Sequence, residues 1–430
     1  MDGGKILAKI DISKTNTHYF PEITSRRTML IYPDTANLNA IRDGKINPSL
    51  IESLTASRPG IRWVITVTHF DDAVEGDNAT FFTLQQVAQG LPDATWILPG
   101  MCIPHAETTR FVESFLRTGR APESGLQVIF PTSDRMFEAY PEYGATIDCR
   151  GDNSEFLRAL NSRRQEKATF AAFMNFQRRY EEILMSVDGG SRPIFHINDR
   201  VDEQWRAIHE HFSILLPEME TNLGDLDTLP DRLTQSSEFV PMVSQELLKE
   251  QIRLFVGITK AAASGDRGSW NRLDHARVES NMRFFTAMNP LGLSPTGDKF
   301  HIFKMFCAWT RAESLQSLQS DTDLLKRIFE AWINAFLICP GAAVYREVSL
   351  QLFKDNRTAY SNSDENDLWH MAALPYVDIL FADKRMHAYL NRCSSLPEDL
   401  RERCHKNSTF ESWVNSGLRG QHPPYRMRTF

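Results

Sequence analysis

Long apolar segments are missing from this sequence. It contains no uninterrupted apolar run of about 18 residues, and its amino terminus shows no basic segment followed by an apolar one. The first absence argues against a membrane-spanning helix and the second against a secretory signal. We therefore expect a cytoplasmic protein with no membrane partner.

Closely spaced cysteines are also missing. The six cysteines lie far apart and form no C-x-x-C pair: Cys102, Cys149, Cys307, Cys339, Cys393 and Cys404. This spacing argues against a zinc ribbon and against a disulfide scaffold. Reduced, mostly buried thiols are the expectation.

An excess of positive charge is absent as well. The chain has 48 basic and 55 acidic residues and a net charge of −7, which argues against capture of nucleic acid by the whole surface. A local basic groove is compatible with this balance. The chain is 430 residues long, with 42% hydrophobic and 24% charged residues, so we expect a folded protein of two or three structural units.

The first third of the chain alternates between strand and helix patterns. The apolar run Met29–Tyr32 stops at Pro33-Asp34, and Asn47-Pro48 supplies the N-cap and first-turn proline that open a helix. Further strands are predicted at 63–67, 95–98 and 126–130, and a helix beginning at Pro104. Short strands that alternate with helices predict a mainly parallel sheet.

The middle of the chain shows helical periodicity with almost no strand signal. Helices are predicted at 152–187, 201–215, 242–263, 269–288, 299–315, 322–338 and 341–354. The segment 216–241 is rich in Pro, Asp, Thr and Ser, which predicts a loop or linker.

The last third returns to the α/β pattern. Asp367 is predicted to start a helix that Pro375 ends, and residues 377–382 form a predicted strand that stops at Asp383. The whole chain is therefore predicted to be an α/β protein whose mainly parallel core is formed by both ends of the chain. Its segments are 1–145 (first part of the core), 146–355 (a large all-α insertion) and 356–430 (second part of the core and a C-terminal tail).

Four acidic residues lie at predicted sheet-edge positions: Asp34, Glu107, Asp367 and Asp383. In an open parallel sheet, the carboxyl ends of strands and the amino ends of the following helices line one crevice. Carboxylates that converge there repel one another unless a cation lies among them, and oxygen ligands suit Mg²⁺ or Mn²⁺. Two such ions would clamp the attacking water and the leaving oxygen of a phosphodiester. Taken singly, each acid is also explained as a turn former, a helix cap or a first-turn acid that favours the helix dipole.

The surrounding residues resemble a known family. The run Leu30-Ile31-Tyr32-Pro33-Asp34-Thr35-Ala36-Asn37-Leu38 resembles the opening of a PIN-domain nuclease, and Ile103-Pro104-His105-Ala106-Glu107 resembles the segment with that family's second acid. The most specific similarity is to its closing helix-strand unit, in which Asn366-Asp367-Leu368-Trp369-His370-Met371-Ala372-Ala373-Leu374 is followed by Val377-Asp378-Ile379-Leu380-Phe381-Ala382-Asp383-Lys384. The resemblance covers roughly 26–130 and 358–395.

The resemblance implies that Asp34, Glu107, Asp367 and Asp383 are catalytic metal ligands and that Asn37 positions Asp34. Asp364 and Glu365 are spare acids that could replace or assist Asp367. Because 260 positions separate Glu107 from Asp367, where compact members of the family have a short helical connection, an acid of the insertion is the alternative to Glu107.

Three further residues near these acids are candidates for auxiliary roles. His370 is interpreted as a packed histidine or as a contact to metal or substrate. Lys384 and Arg385 are interpreted as ligands of a substrate phosphate or as a solvated surface.

We therefore expect a metal-dependent endonuclease with RNA as the preferred substrate and DNA as the alternative, since cleavage of RNA is the commoner activity in the family it resembles. The helical insertion would select substrate, mediate self-association or receive a regulatory partner. A toxin or defence role is compatible with such a nuclease. The competing hypothesis is an interaction protein that keeps the α/β shape without catalysis and acts through its helical part.

Overall fold

The computed structural model of the protein describes residues 28–58, 60–69, 83–84, 86–88, 90–140, 153–187, 202–234, 245–294, 297–355 and 362–417. The strands are β1 (Met29–Tyr32), β2 (Ile61–Ile65), β3 (Thr95–Ile97), β4 (Ile129–Phe130), β5 (Ile379–Ala382) and β6 (Cys404–Lys406). The helices before the insertion are α1 (Thr35–Arg42), α2 (Pro48–Ser57), α3 (Cys102–Thr118) and α4 (Ser133–Ala139).

The long helical region contains α5 (Asn153–Val187), α6 (Asp202–Leu223), α7 (Leu229–Thr234), α8 (Gln245–Ala263), α9 (Arg267–Met288), α10 (Asp298–Ala308), α11 (Ala312–Gln319), α12 (Thr322–Ile333) and α13 (Pro340–Lys354). The chain then forms α14 (Asn362–Met371), a 3-10 turn (Leu374–Tyr376), β5, α15 (Lys384–Arg392), α16 (Glu398–Glu402), β6, a second 3-10 turn (Asn407–Thr409) and α17 (Phe410–Gly417).

The six strands form one sheet in the order β4-β3-β2-β1-β5-β6. All pairs are parallel except β3 with the edge strand β4. The chain runs outward from β1 through β2 and β3 and later returns to the other side of β1. The order therefore reverses between β1 and β5, and this reversal is the topological switch point where an open α/β sheet leaves a crevice. The prediction of an α/β protein with a mainly parallel sheet is confirmed.

The pairing of β1 with β5 joins residues that are far apart in the sequence. Ile31 lies opposite Ile379. At the start of the pair, the Leu30 amide donates to the Asp378 carboxylate at 2.8 Å, and the Asp378 amide donates back to the Leu30 carbonyl at 2.9 Å. β5 is buried at all four positions, as expected for a strand that is covered on both faces.

The buried apolar residues form two clusters. The larger combines the sheet with side chains of α10 to α13, among them Phe303, Trp332 and Val344. The smaller belongs to α5 to α9 and includes Phe212 and Trp270. The helices of the middle region are thus divided between the two clusters: α5 to α9 share a core of their own, whereas α10 to α13 pack with the sheet.

Several sequence-based element predictions need correction. α6 continues through Pro217 to Leu223, where part of the linker was predicted, because Leu215, Met219 and Leu223 extend the buried stripe at a spacing of four residues. The predicted helix 299–315 is two helices. α14 starts at Asn362, so Asp367 lies inside the helix and does not open it.

Along the described ranges, no helix combines the length and apolarity that crossing a bilayer requires.

The close approach of Gly100 to α14 provides a test of the packing around the sheet edge. A Cβ added at Gly100 would lie 2.0 Å from the Trp369 carbonyl oxygen, so Gly100→Ala should displace α14 and destabilise the protein by roughly 1–3 kcal/mol. Gly90→Ala is the control, because an added Cβ there meets nothing within 4 Å. Urea unfolding of both variants measures the effect, and equal stabilities would contradict the packing described.

Candidate functional site

The carboxyl ends of β1, β5 and β6 bring three polar residues together. Asp34 follows β1 and is 6% exposed, while Asp383 follows β5 directly. Ala382 pairs with Lys406, so the next residues along the two strands, Asp383 and Asn407, face each other. Neighbouring strands lie about 4.8 Å apart, and the three side chains therefore share one edge of the sheet at the switch point.

Both aspartates also cap helices. Asp34 is the N-cap of α1 and accepts the Thr35 amide at 2.7 Å. Asp383 is the N-cap of α15 and accepts the Met386 amide at 2.5 Å through Oδ1. None of the described residues donates to Asp383 Oδ2. Capping therefore fixes the direction of each carboxylate, and in Asp383 it uses only one of the two oxygens.

Two asparagines hold Asp34. The Asp34 amide donates to Asn37 Oδ1 at 3.0 Å, which completes a capping box, so the predicted link between these residues is present. The Asn407 side-chain amide donates to Asp34 Oδ2, and Asn37 Nδ2 donates to the Asn407 carbonyl at 3.4 Å. The remaining side-chain oxygen of Asn407, Oδ1, is buried and accepts no hydrogen bond from the described residues. A buried acceptor without a donor costs about 1–3 kcal/mol, and a cation would supply what it lacks.

The two aspartates lie within electrostatic reach of one thiol. Burial raises the pKa of Cys404 above its usual range, and the carboxylates of Asp34 and Asp383 raise it further. This thiol is therefore protonated and inert at neutral pH. Its surroundings show that negative charge from both strands accumulates at the same place.

A buried aromatic cluster lies against Asp34. Tyr32 Oη and His370 Nδ1 are 2.5 Å apart, and His370 Nε2 lies 3.7 Å from Asp34 Oδ1. His69 Nδ1 accepts the Thr66 amide at 3.2 Å, so its protonated Nε2 donates to the Pro33 carbonyl at 2.7 Å. The ring centroids of His69 and His370 are 5.2 Å apart. These contacts fix the backbone and the carboxylate of the residue that ends β1.

Asp367 lies at the rim of the same neighbourhood. It precedes His370 by one helical turn on α14, and its carboxylate is 3.9 Å from the Arg385 guanidinium. Lys384 is exposed at the first position of α15. The predicted residues Asp367, His370, Lys384 and Arg385 are thus grouped around the ends of β1 and β5. The side chains of Asp364 and Glu365 lie outside the described residues.

Glu107 lies in a different environment. It is buried on α3 and accepts hydrogen bonds from the amides of Gly341 at 3.1 Å and Ala342 at 2.7 Å, and from the Tyr376 hydroxyl. It therefore caps the amino end of α13, whose own N-cap residue, Cys339, provides no side-chain bond. With both oxygens engaged by these donors, Glu107 is not retained as a metal ligand.

The four-carboxylate arrangement expected from the sequence is accordingly not formed. Across the described ranges, no three His, Cys, Asp or Glu side chains are grouped so that they could hold a metal ion. The group that does form consists of two aspartates and an amide oxygen. Asn407 was not predicted from the sequence, because the strand before it, β6, is only three residues long and has no apolar run. His69 offered the same signal as Asp34, a polar side chain shortly after a strand.

Comparisons with known proteins leave the family open. No family model, no curated protein and no solved structure matches the chain.

The pKa of Glu107 predicts a specific pH dependence. Burial raises this pKa from its ordinary value of 4.5 to about 7, against the lowering effect of its hydrogen bonds to Tyr376, Ala342 and Gly341. Between these pH values the unfolded glutamate is ionised while the folded one keeps its proton, so the native state binds more protons and stability falls as pH rises. The raised pKa corresponds to roughly 3 kcal/mol.

Glu107→Gln cannot titrate and should lack this fall. The free energy of unfolding of the wild type, relative to Glu107→Gln, should therefore decrease between pH 5 and pH 7.5 in urea titrations. Glu113→Gln, on the same helix but 47% exposed at its side chain, should show no such trend. If the difference in free energy of unfolding between the wild type and Glu107→Gln stayed constant with pH, the raised pKa of Glu107 would be contradicted.

Proposed function

We propose that the protein is a divalent-metal-dependent nuclease that hydrolyses phosphodiester bonds, with RNA as the substrate and DNA as the alternative. The observation that carries this proposal is the grouping of Asp34, Asp383 and Asn407 at the switch point of a parallel sheet, with a buried amide oxygen that has no donor. Ligand crevices of open α/β sheets lie at this place.

The proposed ligand set suits a hard cation. Mg²⁺ prefers oxygen ligands and typically takes one or two carboxylates, several waters and a substrate phosphate. Within the described part of the chain, Asp383 Oδ2 and Asn407 Oδ1 have no donor and could bind the cation, and Asp34 adds the second negative charge. The bound cation would polarise a phosphoryl oxygen and lower the pKa of a water molecule that attacks phosphorus.

Other residues of the site have supporting roles in this proposal. Lys384 and Arg385, in the first turn of α15, attract the substrate phosphate beside the capped helix end. Asp367 keeps Arg385 in place at the rim. His370 and Tyr32 hold Asp34 from behind, as partners of metal ligands commonly do. RNA is named because of the resemblance to PIN domains, and the assay below separates it from DNA.

Metal binding is the first test. Mn²⁺ at 100 times its Kd should stabilise the wild type by about 2.7 kcal/mol, because it binds the native state alone. Asp34→Asn and Asp383→Asn should lose most of this stabilisation but remain folded, since asparagine caps helices as well as aspartate does. Asp321→Asn is the matched control, because Asp321 caps α12 in the same way and lies outside the site. Thermal unfolding with and without Mn²⁺ is the measurement.

Cleavage is the second test. Labelled single-stranded RNA and DNA of one sequence are incubated with Mg²⁺ or Mn²⁺, or with EDTA. The wild type should cleave RNA only with metal, and Asp34→Asn should lose at least about 100-fold in rate, comparable to the loss of a major charge-stabilising group. Asp321→Asn should cleave normally. Full activity of Asp34→Asn would exclude the proposed site, and absence of both cleavage and Mn²⁺ stabilisation in the wild type would favour the non-catalytic interaction protein.

A further inference from the structure

Two phenylalanines of the described residues are exposed. Phe353 on α13 is 54% exposed and Phe285 on α9 is 37% exposed. Both contact the start of α10: the Phe353 ring stacks on His301 with centroids 4.7 Å apart, and Phe285 lies 6.2 Å from Phe300. We call Phe285, Phe300, His301 and Phe353 the aromatic strip. Its exposed rings are Phe285 and Phe353, while Phe300 is buried and His301 half-buried beneath them.

The Phe353 ring is held in place by its neighbour. His301 is half-buried, and its Nε2 lies 3.3 Å from the Ser349 hydroxyl. Burial lowers the pKa of His301 to about 4, with a smaller lowering by Lys304 that opposes the raising effect of Asp298. At neutral pH the imidazole is therefore uncharged, and it supports Phe353 as an apolar platform. A rigid exposed ring is suited to stacking, because little side-chain freedom is lost on binding.

Lysines border the strip. Among the described residues, neither Lys299 nor Lys304 takes part in an ion pair, and Lys354 pairs with Asp298 at 2.6 Å. The Lys304 ammonium lies 5.4 Å from the Phe300 ring centre, and partial burial lowers its pKa. Three lysines and two aspartates, Asp298 and Asp355, border the strip, so its balance is positive by one charge and attracts a polyanion. The exposed rings also offer stacking to bases, which an acidic protein surface cannot use.

The strip is connected to the proposed metal site. Asp355, two residues after Phe353, accepts a hydrogen bond from the Tyr389 hydroxyl at 3.0 Å. Tyr389 lies on α15 six residues after Asp383, which is about 9 Å along the helix. The end of α13 that carries Phe353 therefore contacts the helix that Asp383 caps.

We propose that the aromatic strip and its lysines bind single-stranded nucleic acid, with bases stacked on Phe353 and Phe285 and phosphates beside Lys299 and Lys304. Exposed aromatic rings next to cations are the means by which proteins hold single strands without reading their sequence. The inference deepens the proposed function by assigning a single-stranded substrate, and it rests on that function for its role in delivery to the metal.

Binding is measured apart from cleavage. Fluorescence anisotropy of a labelled single-stranded 20-nucleotide RNA is recorded in EDTA with the full chain. Phe353→Ala should raise Kd roughly 5- to 100-fold, the effect of removing one base-stacking ring, while Phe353→Trp should stay near the wild-type Kd. Leu337→Ala is the control: Leu337 is an equally exposed apolar side chain at 57%, but it precedes the opposite end of α13. It should bind as the wild type does.

Salt dependence and strandedness give a second readout. Lys299→Gln and Lys304→Gln should each reduce the slope of log Kd against log salt by about 0.7. Duplex RNA of the same sequence should compete poorly. Circular dichroism and thermal unfolding verify that each variant is folded.

The outcomes separate the two proposals. Unchanged RNA affinity of folded Phe353→Ala, or equal competition by duplex, would overturn the single-strand surface. A change of sedimentation coefficient in Phe353→Ala without loss of RNA affinity would overturn it too, because the strip would then be a contact between copies of the chain. RNA binding that depends on Phe353 in a protein that never cleaves would support the surface and refute the nuclease.

Discussion

The parallel pairing of β5 with β1 is the interaction on which the candidate site depends. The reciprocal hydrogen bonds between Leu30 and Asp378 start this pair, and the register then brings the ends of β1 and β5 together. The entropic cost of closing a loop rises only by about 0.6 kcal/mol for each doubling of its length. A long insertion between the two strands is therefore tolerated, provided that it forms a core of its own, as α5 to α9 do.

Hydrogen bonds at both ends of α13 hold the chain where it returns from the insertion to the sheet. Glu107 caps its amino end from α3, while Asp355, just after its last residue, accepts the Tyr389 hydroxyl from α15. Because Tyr376 also donates to Glu107, one buried carboxylate connects the first part of the core, the last helix before the return and the turn before β5. Without the Glu107 carboxylate, the amides of Gly341 and Ala342 and the Tyr376 hydroxyl would lose their acceptor. The burial of Glu107 is therefore explained by its role in holding the two parts of the core together.

The elements that were predicted correctly are those whose sequence signals lie within a few neighbouring residues. β1 has the predicted bounds, and Asn47 caps α2 with proline at its first position. Both were predictable because an apolar run and an N-cap each involve only a few consecutive residues. β6 has no such run, since Cys404-His405-Lys406 is stabilised by pairing with β5, and Asn407 was missed with it. The site was predicted in part: the ends of β1 and β5 follow from strand patterns, whereas the partners of Glu107 depend on α13, more than 230 positions away.

Helix capping and metal binding are compatible uses of the same aspartates. A cap needs one carboxylate oxygen, and it orients the side chain towards the amino end of the helix, where the partial positive charge lowers the cost of gathering anions. Asp383 uses Oδ1 for Met386 and keeps Oδ2 for another ligand. Asp34 uses one oxygen for Thr35 and accepts the Asn407 side-chain amide with the other, while Asn407 Oδ1 has no donor among the described residues. The capping role of each aspartate is thus compatible with the metal site that we propose.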